Sequence, residues 1–153
     1  MDDTADAGVF ARESEFLGRA VQVGVAAGRA ISVSFPEAVP PEAGADHPLL
    51  DRLFAYLDGE RTDVTEVEVA LTVPTARRRV LEAVRTVPYG RTADLAAVAR
   101  MADLDPDDAD DRETAVAALS ENPVPVLVPD HRVEGVRGAT PAEVAERLRD
   151  LEG

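Results

Sequence analysis

Cysteine is absent from the chain, which excludes disulfides, zinc–thiolate sites and cysteine nucleophiles together. Lysine is absent too, so each of the 16 basic residues is an arginine. Tryptophan is missing and aromatic residues make up only 4%, which leaves the core to Val, Leu and Ala. No apolar run is long enough to span a bilayer, and an N-terminus carrying Asp2, Asp3 and Asp6 does not read as a signal peptide. The expectation is a cytoplasmic monomer with no membrane partner and no metal or other cofactor.

Acid is what the chain has in excess. Against the arginines stand 30 acidic residues, for a formal net charge of −14. One reading is an anionic protein that avoids nucleic acid. The favoured one is halophilic adaptation, because the acids are spread over termini, loops and helix faces rather than gathered in one tail. At about 1 M salt the Debye length falls to roughly 3 Å. Net charge then does not veto DNA binding, although counter-ion release no longer supplies affinity. With 153 residues and 45% hydrophobic content, there is material for one domain or two small ones.

In chain order, residues 1–18 show little periodicity and should begin loosely. Two β-prone runs between Arg19 and Phe35 flank a turn at Gly28-Arg29 and predict a hairpin. Pro36–Pro48 reads as a loop, with His47 a solvated residue of it rather than a ligand. Leu49, Leu50, Leu53, Phe54 and Leu57 form a helical stripe that stops at Asp58-Gly59. Residues 64–73 alternate as a short strand, closed by Pro74. The fold class is then α/β (α+β), with a small α/β domain over 1–73 and a helical domain over 74–153.

Four helices are expected in the second domain. They cover Thr75–Thr86 with Thr75 as N-cap, Ala93–Met101 capped by Thr92, Arg112–Glu121 with Val116 and Leu119 inward, and Pro141–Leu151 capped by Thr140. The first two, joined by the tight turn VPYGRT, suggest a helix-turn-helix unit. Arg77-Arg78-Arg79 at the first helix start could meet phosphate or form a solvated face. The acidic linker Asp103–Asp111 suits the dipole of the helix that follows it, but opposes phosphate.

Between Asn122 and Val133 runs NPVPVLVPDHRV. Val124, Val126, Leu127 and Val128 are threaded between Pro123, Pro125 and Pro129. Proline fixes φ and lacks a backbone donor, so neither a helix nor a central strand fits. The expectation is a buried, extended segment that presents Asp130, His131 and Arg132 in one fixed geometry.

TARRRVLEAVRTVPYGRTADLAAVA followed by this run resembles the DNA-binding and active-site domain of the alkylguanine-DNA alkyltransferases, the methylated-DNA–protein-cysteine methyltransferases. The family's PCHRV signature corresponds to Pro129-Asp130-His131-Arg132-Val133. The PYG turn at Pro88–Gly90, the NPVP at Asn122–Pro125 and the terminal Leu151-Glu152-Gly153 match as well. Residues 19–73 look like the family's small N-terminal domain. The resemblance implies a winged helix-turn-helix-like unit that enters the minor groove, with the damaged guanine flipped into a pocket. There its alkyl group passes to a cysteine activated by histidine, itself oriented by glutamate. By position the nucleophile falls on Asp130, the base on His131 and the orienting acid on Glu152, with Asn122 bracing the turn. DNA contacts are implied for Arg77, Arg78, Tyr89, Gly90, Arg91, Thr92, Arg112 and Arg132.

This chain departs from that pattern at several places. The acceptor cysteine is Asp130. The intercalating arginine falls on Glu113 in ungapped alignment, and Arg112 takes the place only with a one-residue shift. A tyrosine used near the target phosphate aligns with Leu95. The small-residue face of the groove-inserted helix is Val116-Ala117-Ala118, and the loop Glu134–Thr140 is shortened. Three readings follow. The first is an alkyltransferase-like protein that recognises alkylated guanine in double-stranded DNA, in concert with other repair proteins, without transferring the alkyl group. The second is an interaction module that keeps only the fold. The third is alkyl transfer to Asp130 itself.

Overall fold

The computed structural model describes residues 7–60 and 64–153. The chain divides into two compact units, one ending at Ala70 and the other running from Leu71 to Gly153.

The first unit is built on an antiparallel sheet in the order β1 (Gly8–Ser14), β2 (Arg19–Ala26), β3 (Arg29–Ser34). The expected hairpin is present as β2 and β3. Its turn sits one residue earlier than predicted, on Ala27 and Gly28, with φ of 52° and 76°. Two consecutive positive-φ residues give a primed turn whose twist matches that of the strands. The loose start expected for residues 1–18 is overturned over Gly8–Ser14, which pairs in register with β2 from Gly8↔Val25 to Ser14↔Arg19. Charged side chains masked the strand's alternation; residues 1–6 lie outside the described residues.

Helix α1 (Pro48–Leu57) buries Leu50, Leu53, Tyr56 and Leu57, each contributing about 1.5–3 kcal/mol of apolar burial. His47, expected in solvent, is buried and caps α1: its Nδ1 accepts from the Leu49 N–H at 3.1 Å. The strand expected over 64–73 reduces to a single 3-10 turn at Val64–Glu66 and a bridge. In that bridge Ala30 N–H donates to Glu68 O and Ala70 N–H to Ala30 O, both at 3.0 Å.

The second unit holds α2 (Thr75–Val84), β4 (Ala93–Asp94), α3 (Leu95–Met101), α4 (Ala109–Ser120), β5 (Val133–Glu134) and α5 (Ala142–Glu152). Helices α2, α3 and α4 pack on one another through Val80, Leu81, Val84, Val98, Ala115 and Leu119. Strands β4 and β5 form a short parallel pair. All four expected helices are present, but their caps differ. Asp94, not Thr92, caps α3 by accepting from Ala97 N–H at 2.7 Å. Helices α2 and α5 start at Pro74 and Pro141 without a side-chain cap, so neither Thr75 nor Thr140 serves. Asp108 caps α4, which begins at Ala109, three residues before the predicted start. The acidic linker thus folds into its own capping network, in which Asp111 N–H donates to Asp108 Oδ2 and Asp105 N–H to Asp111 Oδ2. Val116, expected inward on α4, is only half-buried, and Ala115 takes its place. No helix among the described residues is long and apolar enough to cross a membrane.

Candidate functional site

The proline-rich stretch is buried, as expected, but it is not an extended rod. Val128 N–H donates to Val124 O at 2.9 Å and Pro125 bridges to Val128, so the chain doubles back on itself. Val126 sits at the crest with φ of 77°. A β-branched residue there is strained by about 1–3 kcal/mol, and such strain persists only where the surroundings over-determine the conformation. Asn122 supplies part of that determination. Its Oδ1 accepts from Val124 N–H, and its Nδ2 donates to Val128 O and to Asp130 Oδ2, each at 3.0 Å. Three prolines cannot donate to a ladder, so a side-chain amide holds the turn instead.

The chain then enters a 3-10 turn, Asp130–Arg132, in which all three side chains are buried. Asp130 is 2% exposed. Its Oδ2 accepts from Asn122 Nδ2 at 3.0 Å, Ala139 N–H at 3.0 Å and Thr140 N–H at 3.3 Å. Its Oδ1 is buried with no hydrogen-bond partner among the described residues. Gly138 lies directly over the carboxyl: a Cβ there would stand 2.4 Å from Asp130 Cγ and 2.7 Å from Oδ1. Only glycine lets the loop approach this closely. Burial pushes the Asp130 carboxyl above its ordinary pKa, and the hydrogen bonds from Thr140 and Asn122 pull it back only in part.

His131 reaches α5, where its Nε2 lies 2.8 Å from Glu152 Oε2. This joins the expected base to the expected orienting acid. Glu152 also takes a two-pronged bond from Arg132, with Nε to Oε1 and Nη2 to Oε2 both at 2.9 Å. Arg132 Nη1 donates to Val87 O at 2.8 Å, and Gly90 N–H reaches Glu152 Oε1 at 3.3 Å. One carboxylate therefore ties together the end of α5, the 3-10 turn and the Pro88–Gly90 turn. Gly90 is required on two counts: its φ is 76°, and a Cβ would lie 3.2 Å from Glu152 O. The Tyr89 ring lies 5.8 Å from the Arg132 guanidinium carbon, and its hydroxyl reaches Leu151 O at 3.5 Å.

Among the expected DNA-contacting residues, Arg132 is 3% exposed and its guanidinium is committed to Glu152 and Val87, which places it inside the cluster rather than on the surface. A buried guanidinium is stable only when paired in this way. Arg77 is half-buried and paired with Glu121 at 3.0 Å. Arg78, Gly90, Arg91, Thr92 and Arg112 are exposed; so is Glu113 beside Arg112 on α4. Asp130, His131, Asn122 and Glu152 converge on one buried cluster, whereas Arg77, Arg78 and Arg112 lie on α2 and α4 outside it. Beside the cluster opens a pocket of about 460 Å³, lined in part by Asp130, His131, Val136, Gly138, Thr140 and Ala145. Sequence reasoning noted that the loop Glu134–Thr140 is short but not that its residues hold the Asp130 carboxyl. Its two glycines around Val136-Arg137 were the available signal.

Residues 75–151 match the family described as "6-O-methylguanine DNA methyltransferase, DNA binding domain". A methylated-DNA–protein-cysteine methyltransferase of Methanopyrus kandleri is 32% identical over 130 residues, covering 80% of this chain and 95% of that protein. Its counterpart in Metallosphaera sedula is 32% identical over 69% of this chain, which spans 66% of that relative's length. A protein of Thermus thermophilus named "DNA base-flipping protein" is 41% identical over 80 residues, 52% of this chain and 50% of the relative. The structure of Mycobacterium tuberculosis OGT in complex with DNA superposes with a TM-score of 0.70 at 25% identity, covering 94% of this chain and 89% of that one. The fold is thus that of the alkyltransferases, and the chain belongs to the 6-O-methylguanine DNA methyltransferase family.

Proposed function

We propose that this protein is an alkyltransferase-like DNA-repair component that binds double-stranded DNA, recognises alkylated guanine in its pocket and does not take up the alkyl group. The observation that carries this reading is the state of Asp130. It stands where the family's acceptor is expected, yet its carboxylate is consumed by three donors on one oxygen and covered by Gly138 on the other. An in-line attack on an alkyl carbon needs an exposed nucleophile within about 3–3.5 Å of it. Asp130 Oδ1 is buried, which argues against alkyl transfer to this residue. The rest of the cluster, Asn122, His131, Glu152 and the Tyr89-Gly90 turn, keeps its connections and supports retention of the pocket. The relative named as a DNA base-flipping protein supports recognition by an extruded base. In this reading α2 and α3, with the turn between them, serve as the helix-turn-helix-like unit, and Arg78, Arg91, Thr92 and Arg112 face DNA.

A second reading, an interaction module without DNA function, draws on α4. Glu113 is exposed there beside Arg112, and Asp107, Asp108 and Asp110 are exposed at the helix start. One titration separates the two. Fluorescence anisotropy with plain duplex and with duplex carrying one O6-methylguanine, in low and molar salt, should give tighter binding to the alkylated strand. Equal affinity for both refutes damage recognition, and no binding to either leaves the interaction module. Intact-mass analysis after incubation with the alkylated duplex should show no methyl gained by the protein.

A further inference from the structure

The chain carries a large acidic excess, yet the mouth of the Asp130 pocket is cationic. Two concavities adjoin there. The pocket of about 460 Å³ beside Asp130 is lined by Arg137 and Arg149, and a smaller one of about 80 Å³ at the Gly90 turn is lined by Arg91 and again Arg149. Arg149 on α5 therefore links the two. The acidic side chains lining them, Asp130 and Glu152, are 2% and 8% exposed, and both hold internal donors, Asp130 on Oδ2 alone. The exposed ionisable side chains that line both mouths are Arg91, Arg137 and Arg149, every one a cation. Asp94 and Glu134, paired in register across β4 and β5, lie outside both linings.

What these three arginines do within the protein is also informative. Arg77 is held by Glu121, Arg85 by Leu127 O and Arg132 by Glu152. Arg91, Arg137 and Arg149 have no side-chain hydrogen bond or ion pair among the described residues. In a protein with nearly two acids for every arginine, cations left available around one mouth point to an external anion. The guanidinium fork matches phosphate oxygens in pairs, and its weak hydration suits it to that contact even in concentrated salt.

We propose that Arg91, Arg149 and Arg137 form a phosphate track that leads one DNA strand from the Pro88–Gly90 turn to the mouth of the Asp130 pocket. The proposal rests on the DNA-binding reading above and adds a strand path for which α5 and the pocket loop, not only α2 to α4, supply contacts. Phosphodiester contacts position a strand without reading its sequence or its damage. The track therefore acts equally on plain and alkylated duplex.

The test measures duplex affinity across a salt series in which circular dichroism shows the full chain folded. Each phosphate contact contributes a slope of about −0.9 in log K against log salt. Arg149→Gln and Arg137→Gln should each flatten the slope by about 0.9 on plain and alkylated duplex alike, and the double variant by about twice that. Arg147→Gln removes the same charge from the same helix at an exposed position outside both linings, and should leave the slope unchanged. If Arg149→Gln and Arg137→Gln behave like Arg147→Gln, or if wild type binds no duplex at any salt, the track is refuted. A mononucleotide at matched ionic strength should fail to displace the duplex; displacement would make the mouth a free-phosphate site and overturn the strand path. The ratio of alkylated to plain affinity tests damage recognition separately, and its loss with the slope changes intact would refute that reading and leave the track standing.

Discussion

Replacing Asp130 by alanine and by asparagine separates a carboxyl that holds the pocket loop from one that merely fills space. In Asp130→Ala, the side-chain donor Asn122 Nδ2 keeps Val128 O as a partner and the Ala139 amide keeps Leu119 O at 2.9 Å, but the Thr140 amide loses its carboxylate acceptor. A buried donor left without an acceptor costs about 1–3 kcal/mol. The orphaned Thr140 amide is buried, and alanine also relieves the burial of a charge. The expected net loss is therefore about 1–2 kcal/mol, concentrated in Gly135–Thr140. Asparagine keeps an oxygen facing the same three donors and removes the charge, so Asp130→Asn should stay within about 1 kcal/mol of wild type at neutral pH. Native-state hydrogen exchange reads this locally: the Thr140 amide should lose protection by about 10-fold in Asp130→Ala and keep it in Asp130→Asn, while the Ala139 amide, still bonded to Leu119 O, should change less. Unchanged protection in the alanine variant would show that the loop is held by something other than Asp130, and the latch would have to be abandoned.

Three further outcomes follow from the same cluster. Asp130 has a folded pKa raised by burial, so its contribution to stability is present below the unfolded value of about 3.8 and is lost as pH rises through the folded one; urea midpoints of wild type minus Asp130→Asn should fall with rising pH, and a flat difference would contradict the burial effect. Glu152→Ala leaves the Arg132 guanidinium buried without its carboxylate and should cost about 3–5 kcal/mol by denaturant unfolding, whereas a loss below about 1 kcal/mol would show that Arg132 finds another partner. Gly138→Ala places a Cβ against Asp130 Cγ and should cost about 1–3 kcal/mol and widen the loop, visible as faster exchange at Ala139; wild-type exchange would mean that the loop shifts freely.

The sequence stated its helices clearly and its caps poorly. Apolar spacing located α1, α2, α3 and α5 because a buried stripe leaves a period in the residues themselves. Caps were missed where several candidates sat side by side. Thr92, Asp94, Thr140 and Asp108 all carry a suitable oxygen, and tertiary packing decides which φ/ψ lies just outside the helix. The strand β1 went unseen because Arg12 and Glu13 interrupt its apolar pattern, while its pairing with β2 is a long-range fact. In the site, the approach of His131 to Glu152 was legible from the resemblance alone, since twenty-one residues separate them. The fate of Asp130 was not. Its partners lie in a loop whose length could be counted but whose direction could not.

That loop changes what the replacement of the acceptor means. A thiolate works by remaining available, with a base beside it and space in front. Asp130 has the base beside it in sequence, but His131 is turned to Glu152, and the space in front is taken by Gly138. The carboxyl offers what a sulfur would offer only weakly, an acceptor strong enough to gather an amide side chain and two backbone N–H groups on one oxygen. In the proposed reading the carboxyl serves as a structural atom, and the Glu152 network does not depend on it, because that network hangs from Arg132 and the Gly90 turn rather than from residue 130. A pocket whose walls are held by their own hydrogen bonds keeps its shape whatever stands at the acceptor position. Shape is what recognition of an extruded base requires.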